Sequence, residues 1–347
     1  MRAFVFYQHG GPEVLQLHQD ISTPQPGPGE VLIRVRYAAL NRLDDFVRTG
    51  WRGLNLVFPH ILGSDFSGAI ARLGEGVTGW SEGQRVVANP TLWCGACPAC
   101  VAGRHNQCDR FAILGEHVPG AYAEFVRVPA RNLLSIPGHY PDDLAAAAPL
   151  TAVTAWHMLV TAGGVRPGES VLVVGAGGGV NSMAIQIARL AGATVCVVAG
   201  NAEKAEKARV LGANCVIDRS AEPNWSKAVW DATGRRGADI VVDNVGEATW
   251  GSSLRCLAKG GRLLTVGGTS GYNATTPVNL IFGRHLRIIG ATMGTQADFE
   301  AVMAQVFAGK LAPVIDQVFP LAEYPAALDR MRSGEGFGKI LLKIVPR

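Results

Sequence analysis

An apolar run, Val171-Leu172-Val173-Val174, passes straight into Gly175-Ala176-Gly177-Gly178-Gly179-Val180 and then into the helical pattern of residues 182–190. A strand, a glycine turn and a helix in that order admit few folds, because the turn is too tight for side chains and the helix must pack back on its own strand. Downstream, residues 194–199, 215–218, 240–243 and 262–266 read as strands, with a helix over 202–211. Strands alternating with helices indicate an α/β fold with a parallel, doubly wound sheet.

The turn has chemistry as well as shape. Backbone N–H groups at the start of a helix, together with the helix dipole, suit a pyrophosphate, so Gly175, Gly177, Gly178, Gly179 and Val180 are the predicted phosphate contacts of a dinucleotide. The second strand ends about twenty residues on, in Val198-Ala199-Gly200-Asn201. An NAD site usually carries Asp or Glu there, which bonds the ribose hydroxyls and repels a 2′-phosphate. That acid is absent here, and Lys204 and Arg219 lie near the mouths of this strand and the next. The expectation is NADPH, held at its ribose edge by Gly200, Asn201, Lys204 and Arg219. Lys204 has a plainer reading as a solvated helix residue, since Glu203 and Lys207 form an ordinary i,i+4 pair beside it.

The first part of the chain has a different rhythm. Residues 31–36, 68–73 and 85–88 are short strand patterns separated by Gly, Pro and charged turns, which predicts a small β-barrel over residues 1–150. The dinucleotide domain is expected over 151–290, and a C-terminal segment, 291–347, carries a helix (297–308) and a strand (339–344) able to return to the first domain. An Ala-rich buried helix is expected over 144–163, following Pro137, Pro141 and a capping Asp142. At 347 residues and 48% hydrophobic, the chain can bury two cores. Its net charge of +4 comes without a Lys/Arg-rich run, which argues against nucleic-acid binding. Residues 1–10 lack a signal pattern, and the most apolar stretches are broken by Pro149, His157, the glycines and Arg189, so a cytoplasmic protein without membrane spans is expected.

Four of the seven cysteines, Cys94, Cys97, Cys100 and Cys108, form C-x2-C-x2-C-x7-C. Two-residue gaps let neighbouring thiolates converge on one tetrahedral ion, which favours a structural zinc, one per chain. Disulfides or free thiols are the second reading, and an iron–sulfur cluster, whose usual run ends in a shorter gap and Cys-Pro, is the third. A closed four-sulfur shell has no room for water or substrate, so the chemistry must lie elsewhere.

With this loop, the glycine turn, Gly63-Ser64-Asp65-Phe66-Ser67-Gly68, Val242-Asp243-Asn244-Val245-Gly246, Gly260-Gly261-Arg262 and Phe337-Gly338-Lys339, the chain resembles the medium-chain dehydrogenase/reductase superfamily over nearly its whole length. The resemblance implies a GroES-like β-barrel catalytic domain, a structural-zinc lobe, a Rossmann domain and a homodimer or homotetramer, paired through the strand pattern at 286–289. It also implies cofactor contacts at Arg42, Val266, Gly267 and Lys339. A surface salt bridge is the plainer reading of Arg42.

Zinc alcohol dehydrogenases of this superfamily hold a catalytic zinc with Cys, the His of Gly-His-Glu, and a second Cys. Those positions are Asn41, Ser64 and Leu150 here, and the Ser or Thr that relays the alcohol proton is Leu43. Asp44 and Asp65 stand where the family has carboxylates behind the metal. Asn41 and the Ser-Asp pair are similar to the zinc-free quinone oxidoreductase and enoyl reductase branch. One glycine departs from the pattern: the third of the turn is Asn181, which puts the seating of the following helix in question.

The implied activity is NADPH-dependent reduction of a small-molecule C=C bond conjugated to a carbonyl, or of a quinone, without catalytic zinc. Asn41, Ser64 and Thr151 are the candidate catalytic residues, with Asn41 expected to donate to the developing enolate. Plainer readings stand beside these: a turn-capping Asn41, and Thr151 packing in its apolar run. His60 and His157 read as structural histidines. An alcohol or aldehyde dehydrogenase with rebuilt zinc ligands and a non-catalytic NADPH-binding sensor are the alternatives.

Overall fold

A computed structural model describes residues 1–344, which form two compact units. One comprises residues 1–150, 295–307 and 313–344; the other comprises 151–294 and 308–312.

The first unit is the GroES-like domain, built on a seven-stranded sheet. Its central strand, Glu30–Ala39, buries Val31, Ile33 and Val35 completely while Arg34 and Arg36 face outward, a period-two alternation over its middle, with Leu32, Ala38 and Ala39 buried as well where both faces are covered. Each such side chain contributes about 1.5–3 kcal/mol of burial. This strand pairs antiparallel with Asp65–Leu73, Phe125–Pro129 and the C-terminal strand Lys339–Lys343. Gly68 is required at the first crossing, because a Cβ there would stand 2.4 Å from the Arg34 carbonyl oxygen. The pairing Leu341↔Ala39 brings Lys339 to the end of Glu30–Ala39, and Ala39↔Asp65 brings Asp65 to the same end.

The second unit holds a six-stranded sheet, every pair parallel. Its order is Cys215–Asp218, Thr194–Ala199, Ser170–Val174, Ala238–Asp243, Leu257–Thr265 and Arg287–Gly290. That is the doubly wound order of the Rossmann fold. Val171 to Val174 are all buried, as expected of a strand covered on both faces.

The expected single helix over 144–163 is corrected to three pieces: Asp142–Ala147, Pro149–Trp156 and a π-helical turn His157–Ala162. Pro149 has no N–H to continue the first helix but suits the opening of the second. Asp142 is the first helical residue rather than the cap, which is Pro141. Its carboxylate instead accepts from Arg36 (2.7 Å) and Arg85 (2.8 Å).

Candidate functional site

The cysteine lobe is built from one stretch of chain. The four sulfurs of Cys94, Cys97, Cys100 and Cys108 lie within 4.8 Å of one another, with Cys94–Cys100 and Cys97–Cys108 each 3.9 Å apart. Zinc–sulfur bonds of about 2.3 Å in a tetrahedron put the sulfurs about 3.8 Å apart, so the donor set fits such an ion. Backbone N–H groups of Ala96 and Cys97 point at the Cys94 sulfur and bring its thiol down to about 6. The N–H groups of Cys94 and Arg110 point at Cys108. Trp93 stacks on His105 with ring centres 4.5 Å apart, and Arg131 lies over the indole, so the lobe has its own packed floor.

The second cluster is assembled from distant segments. Asn41 precedes the helix Arg42–Thr49, and Asp44 on its first turn takes the Asn41 N–H at 2.7 Å and the Tyr122 hydroxyl at 2.6 Å, both on Oδ2. Burial raises the Asp44 carboxyl to about 6, against the pull of the Tyr122 hydroxyl, the Asn41 N–H and the Lys339 charge. The Asn41 carboxamide also bonds outside its own helix. Its Nδ2 donates to Asp65 Oδ2 at 3.0 Å and to the Ala39 carbonyl at 3.4 Å, while its Oδ1 accepts from Lys339 Nζ at 2.5 Å. The same ammonium reaches Asp65 Oδ2 at 3.0 Å, and the Leu150 N–H closes on Asp65 Oδ1 at 2.7 Å. Asn41, Asp44, Asp65 and Lys339 are all buried.

This geometry revises the expected role of Asn41. Both amide hydrogens are engaged by Asp65 and Ala39, so the residue holds its neighbours rather than offering a donor. Lys339, expected as a cofactor contact, has its ammonium on Asn41 and Asp65. Ser64 is buried, and its hydroxyl has no hydrogen-bond partner among the described residues. Leu150 and the half-buried Leu43 offer only hydrocarbon side chains. Thr151 is buried on the helix Pro149–Trp156 in the other unit, and Arg42 is exposed at the first position of its helix. His60 Nε2 lies 3.1 Å from the Gly115 carbonyl and its ring packs edge-on against Phe6, a structural placement. His157 is buried in the π-helical turn.

At the glycine turn the helix runs Gly179–Leu190, with Gly178 at its cap and no side chain capping it. Asn181 is accommodated. Its Nδ2 donates to the carbonyls of Val174 (2.9 Å) and Gly175 (3.0 Å), and its Oδ1 accepts from Asn244 Nδ2 (2.9 Å). Gly175, at φ +92°, faces it; a Cβ there would stand 3.1 Å from Asn181 Nδ2. Asn181 thus replaces a close helix–strand contact with a side-chain bridge tying the first strand end to the fourth. Asn244 Oδ1 in turn accepts from Val266 N (3.0 Å), and Gly267 follows, exposed. Neither asparagine bridge was legible beforehand, although the gap left by a missing third glycine was the signal for one. The glycine turn and the uncapped helix start fit the pyrophosphate of a dinucleotide.

At the ribose edge, Arg219 N–H donates to the Ala199 carbonyl at 3.0 Å, which puts the exposed Arg219 beside Gly200. Asn201 caps the helix Ala202–Val210 by accepting the Lys204 N–H at 2.9 Å. Lys207 pairs with Glu203 at 2.7 Å. Among the described residues no helix is long and apolar enough to cross a membrane.

Family models agree with this architecture: residues 27–138 match the alcohol dehydrogenase GroES-like domain and residues 179–308 the zinc-binding dehydrogenase domain. A zinc-type alcohol dehydrogenase-like protein of Schizosaccharomyces pombe is 33% identical, over 94% of this chain and 94% of that protein. An acryloyl-coenzyme A reductase of Sulfurisphaera tokodaii is 31% identical, over 96% of this chain and 98% of that protein. A solved crystal structure of an NAD-dependent alcohol dehydrogenase is 44% identical with a TM-score of 0.96, covering 99% of this chain and 100% of that one.

Proposed function

Because the chain belongs to the medium-chain dehydrogenase/reductase superfamily and is an oxidoreductase, we propose that it uses NADPH to reduce C=C bonds conjugated to a carbonyl, as in enones and enoyl thioesters, or quinones. In this reading a structural zinc sits in the four-cysteine lobe and the reaction needs no second metal.

The observation that carries the proposal is the state of the three positions that ligate catalytic zinc in the alcohol dehydrogenases. Asn41 presents a carboxamide already engaged by Lys339 and Asp65, Ser64 a single hydroxyl, and Leu150 a hydrocarbon. That set does not fit zinc, which takes Cys, His or carboxylate ligands. Alcohol oxidation also requires an ionised alcohol, and a metal is what normally lowers the pKa of a bound oxygen toward neutrality. An unsaturated carbonyl needs less, because hydride adds at the β-carbon and the charge spreads to oxygen. The nucleotide supplies the hydride when bound at Gly175, Gly177, Gly178, Gly179 and Val180. Arg42, Gly200, Asn201, Lys204, Arg219, Val266 and Gly267 complete the proposed nucleotide contacts. Ser64, with its unspent hydroxyl, is assigned a donor role, and Thr151 a place beside the nicotinamide.

The relative named acryloyl-coenzyme A reductase supports this reading, while those named alcohol dehydrogenases favour the second one, alcohol oxidation with rebuilt zinc ligands. NADPH consumption against enones, enoyl thioesters, quinones and aldehydes, together with zinc analysis, separates them. We expect one zinc per chain and turnover of the conjugated acceptors. Two zinc equivalents with chelator-sensitive oxidation of benzyl alcohol would overturn the proposal.

A further inference from the structure

Hydride addition to a conjugated carbonyl sends an electron pair to the carbonyl oxygen, and a preorganised donor or positive charge at that oxygen is worth more than any solvent response. In the Asn41 cluster the amide hydrogens are engaged and the carboxylates only accept. Lys339 differs. An ammonium carries three hydrogens and no lone pair. Two of them are directed at Asn41 Oδ1 (2.5 Å) and Asp65 Oδ2 (3.0 Å), and the third has no partner among the described residues. The side chain is 5% exposed, so this N–H is held in a mostly dry setting where a charge-assisted bond is strong.

We propose, resting on the metal-free reading above, that Lys339 is the electrophilic catalytic residue: its third N–H donates to the substrate carbonyl oxygen. The cation stands 2.5 Å from the oxygen of Asn41, the residue at a position that elsewhere ligates zinc. A fixed ammonium held by a carboxamide and a carboxylate thereby takes over the charge of the lost metal. The atoms balance. Hydride forms the C–H bond at the β-carbon, the C=C pair becomes the enolate, its oxygen is held by Lys339 N–H, and water returns a proton to the α-carbon while the nucleotide leaves oxidised. Asn41 and Asp65 are positioning residues, the first aimed from its main chain by Asp44 and the second by the Leu150 N–H.

The rival role for Lys339 is the pyrophosphate contact implied by the family resemblance, and the two make opposite predictions. The test uses the full-length, zinc-loaded protein as Lys339→Met, Lys339→Arg and the double variant Lys339→Met/Asp65→Asn, which leaves no buried carboxylate without its cation should the single variant fold poorly. Three quantities are measured: NADPH affinity by nucleotide fluorescence, turnover of an enone, and the absorbance of 4-(dimethylamino)cinnamaldehyde bound in the presence of NADP⁺. The last needs no turnover, because a cation at the carbonyl oxygen shifts that chromophore to the red. The double variant should lose about a hundredfold or more in turnover and lose the red shift, with NADPH affinity changed by less than about twofold; Lys339→Arg should keep part of the shift. A weakened NADPH affinity with turnover and red shift retained would overturn the proposal in favour of the pyrophosphate role. Turnover within about tenfold of native would also overturn it. Should the metal-free reading itself fail, the red shift would instead vanish with chelator and survive in the double variant.

Discussion

The four-cysteine lobe and the Asn41–Asp65–Lys339 cluster sit in the same unit, and the family resemblance implies a metal position at each. They solve opposite problems. In the lobe four cysteine sulfurs, drawn from fifteen consecutive residues and met by backbone N–H groups, converge as a donor set for an ion that the chain does not itself supply. In the other cluster the cation belongs to the chain. Lys339 is 298 positions from Asn41 in sequence and reaches it only because the C-terminal strand pairs with Glu30–Ala39. A borrowed ion can be removed to reveal what it did; a built-in one can be removed only by mutation.

That contrast breaks most sharply at the lobe. Binding free energies of structural zinc sites are on the order of 10 kcal/mol, and a site lacking one thiolate forfeits most of this. Cys100→Ser should therefore lose its zinc and lower the melting temperature, while the turnover of the protein that remains folded should change by less than about tenfold, since a closed shell has no open position for substrate. Zinc analysis by mass spectrometry with a thermal melt checks this. A variant that retains full zinc would remove the four-thiolate assignment.

The same contrast explains what the sequence disclosed. The lobe and the glycine turn are contiguous motifs, and the strands of the Rossmann unit are apolar runs bounded by glycine and charge, so both were legible to within a few residues. The Asn41 cluster was half legible: its departures from the ligand pattern that the resemblance implies could be read position by position, but the destination of the Lys339 ammonium depends on strand register, which no local pattern encodes. Asn41 was consequently expected to donate when its donors are already engaged. The helix break at Pro149 was readable from proline chemistry and was overridden by a uniform run of alanines. Asn181 was recognised as a departure, and what it builds became visible only with its partners Gly175 and Asn244 in place.

The second cluster has a pH signature of its own. Asp44 has its carboxyl raised from 3.8 to about 6, chiefly by burial. Below about pH 4 both folded and unfolded chains hold the proton, and the folded state carries no penalty. As pH rises through 6 the folded state must ionise a buried group, so this contribution is lost, with a size of roughly 2–4 kcal/mol. Asp44→Asn keeps an oxygen for the Tyr122 hydroxyl and the Asn41 N–H but cannot ionise. Its stability advantage over the native protein should be near zero at pH 4 and grow toward that value at pH 8. Urea unfolding at both pH values measures it, and an advantage that shrinks as pH rises would reverse the assignment.

Between the two extremes lies the ribose edge of the nucleotide unit, where the paired strands Thr194–Ala199 and Cys215–Asp218 end and the Arg219 N–H closes on the Ala199 carbonyl. The edge offers the exposed guanidinium of Arg219 and no acid at Ala199 itself, while the carboxylate of Asp218, paired with Ala199 on the neighbouring strand tip, is engaged by Ser220; an Arg without a carboxylate at position 199 suits a 2′-phosphate better than free ribose hydroxyls. A charge-assisted contact of this kind contributes about 1.5–3 kcal/mol, or roughly ten- to a hundredfold in affinity. Ala199→Asp should reverse the preference by placing a carboxylate where the phosphate would lie, and the same carboxylate can accept from ribose hydroxyls, so NADH affinity should rise as NADPH affinity falls. Arg219→Ala should weaken NADPH alone. Fluorescence titrations of both nucleotides against the three proteins decide the matter: equal dissociation constants for NADH and NADPH in the native chain would mean that the edge does not discriminate, and that a missing acid alone does not make an NADPH site.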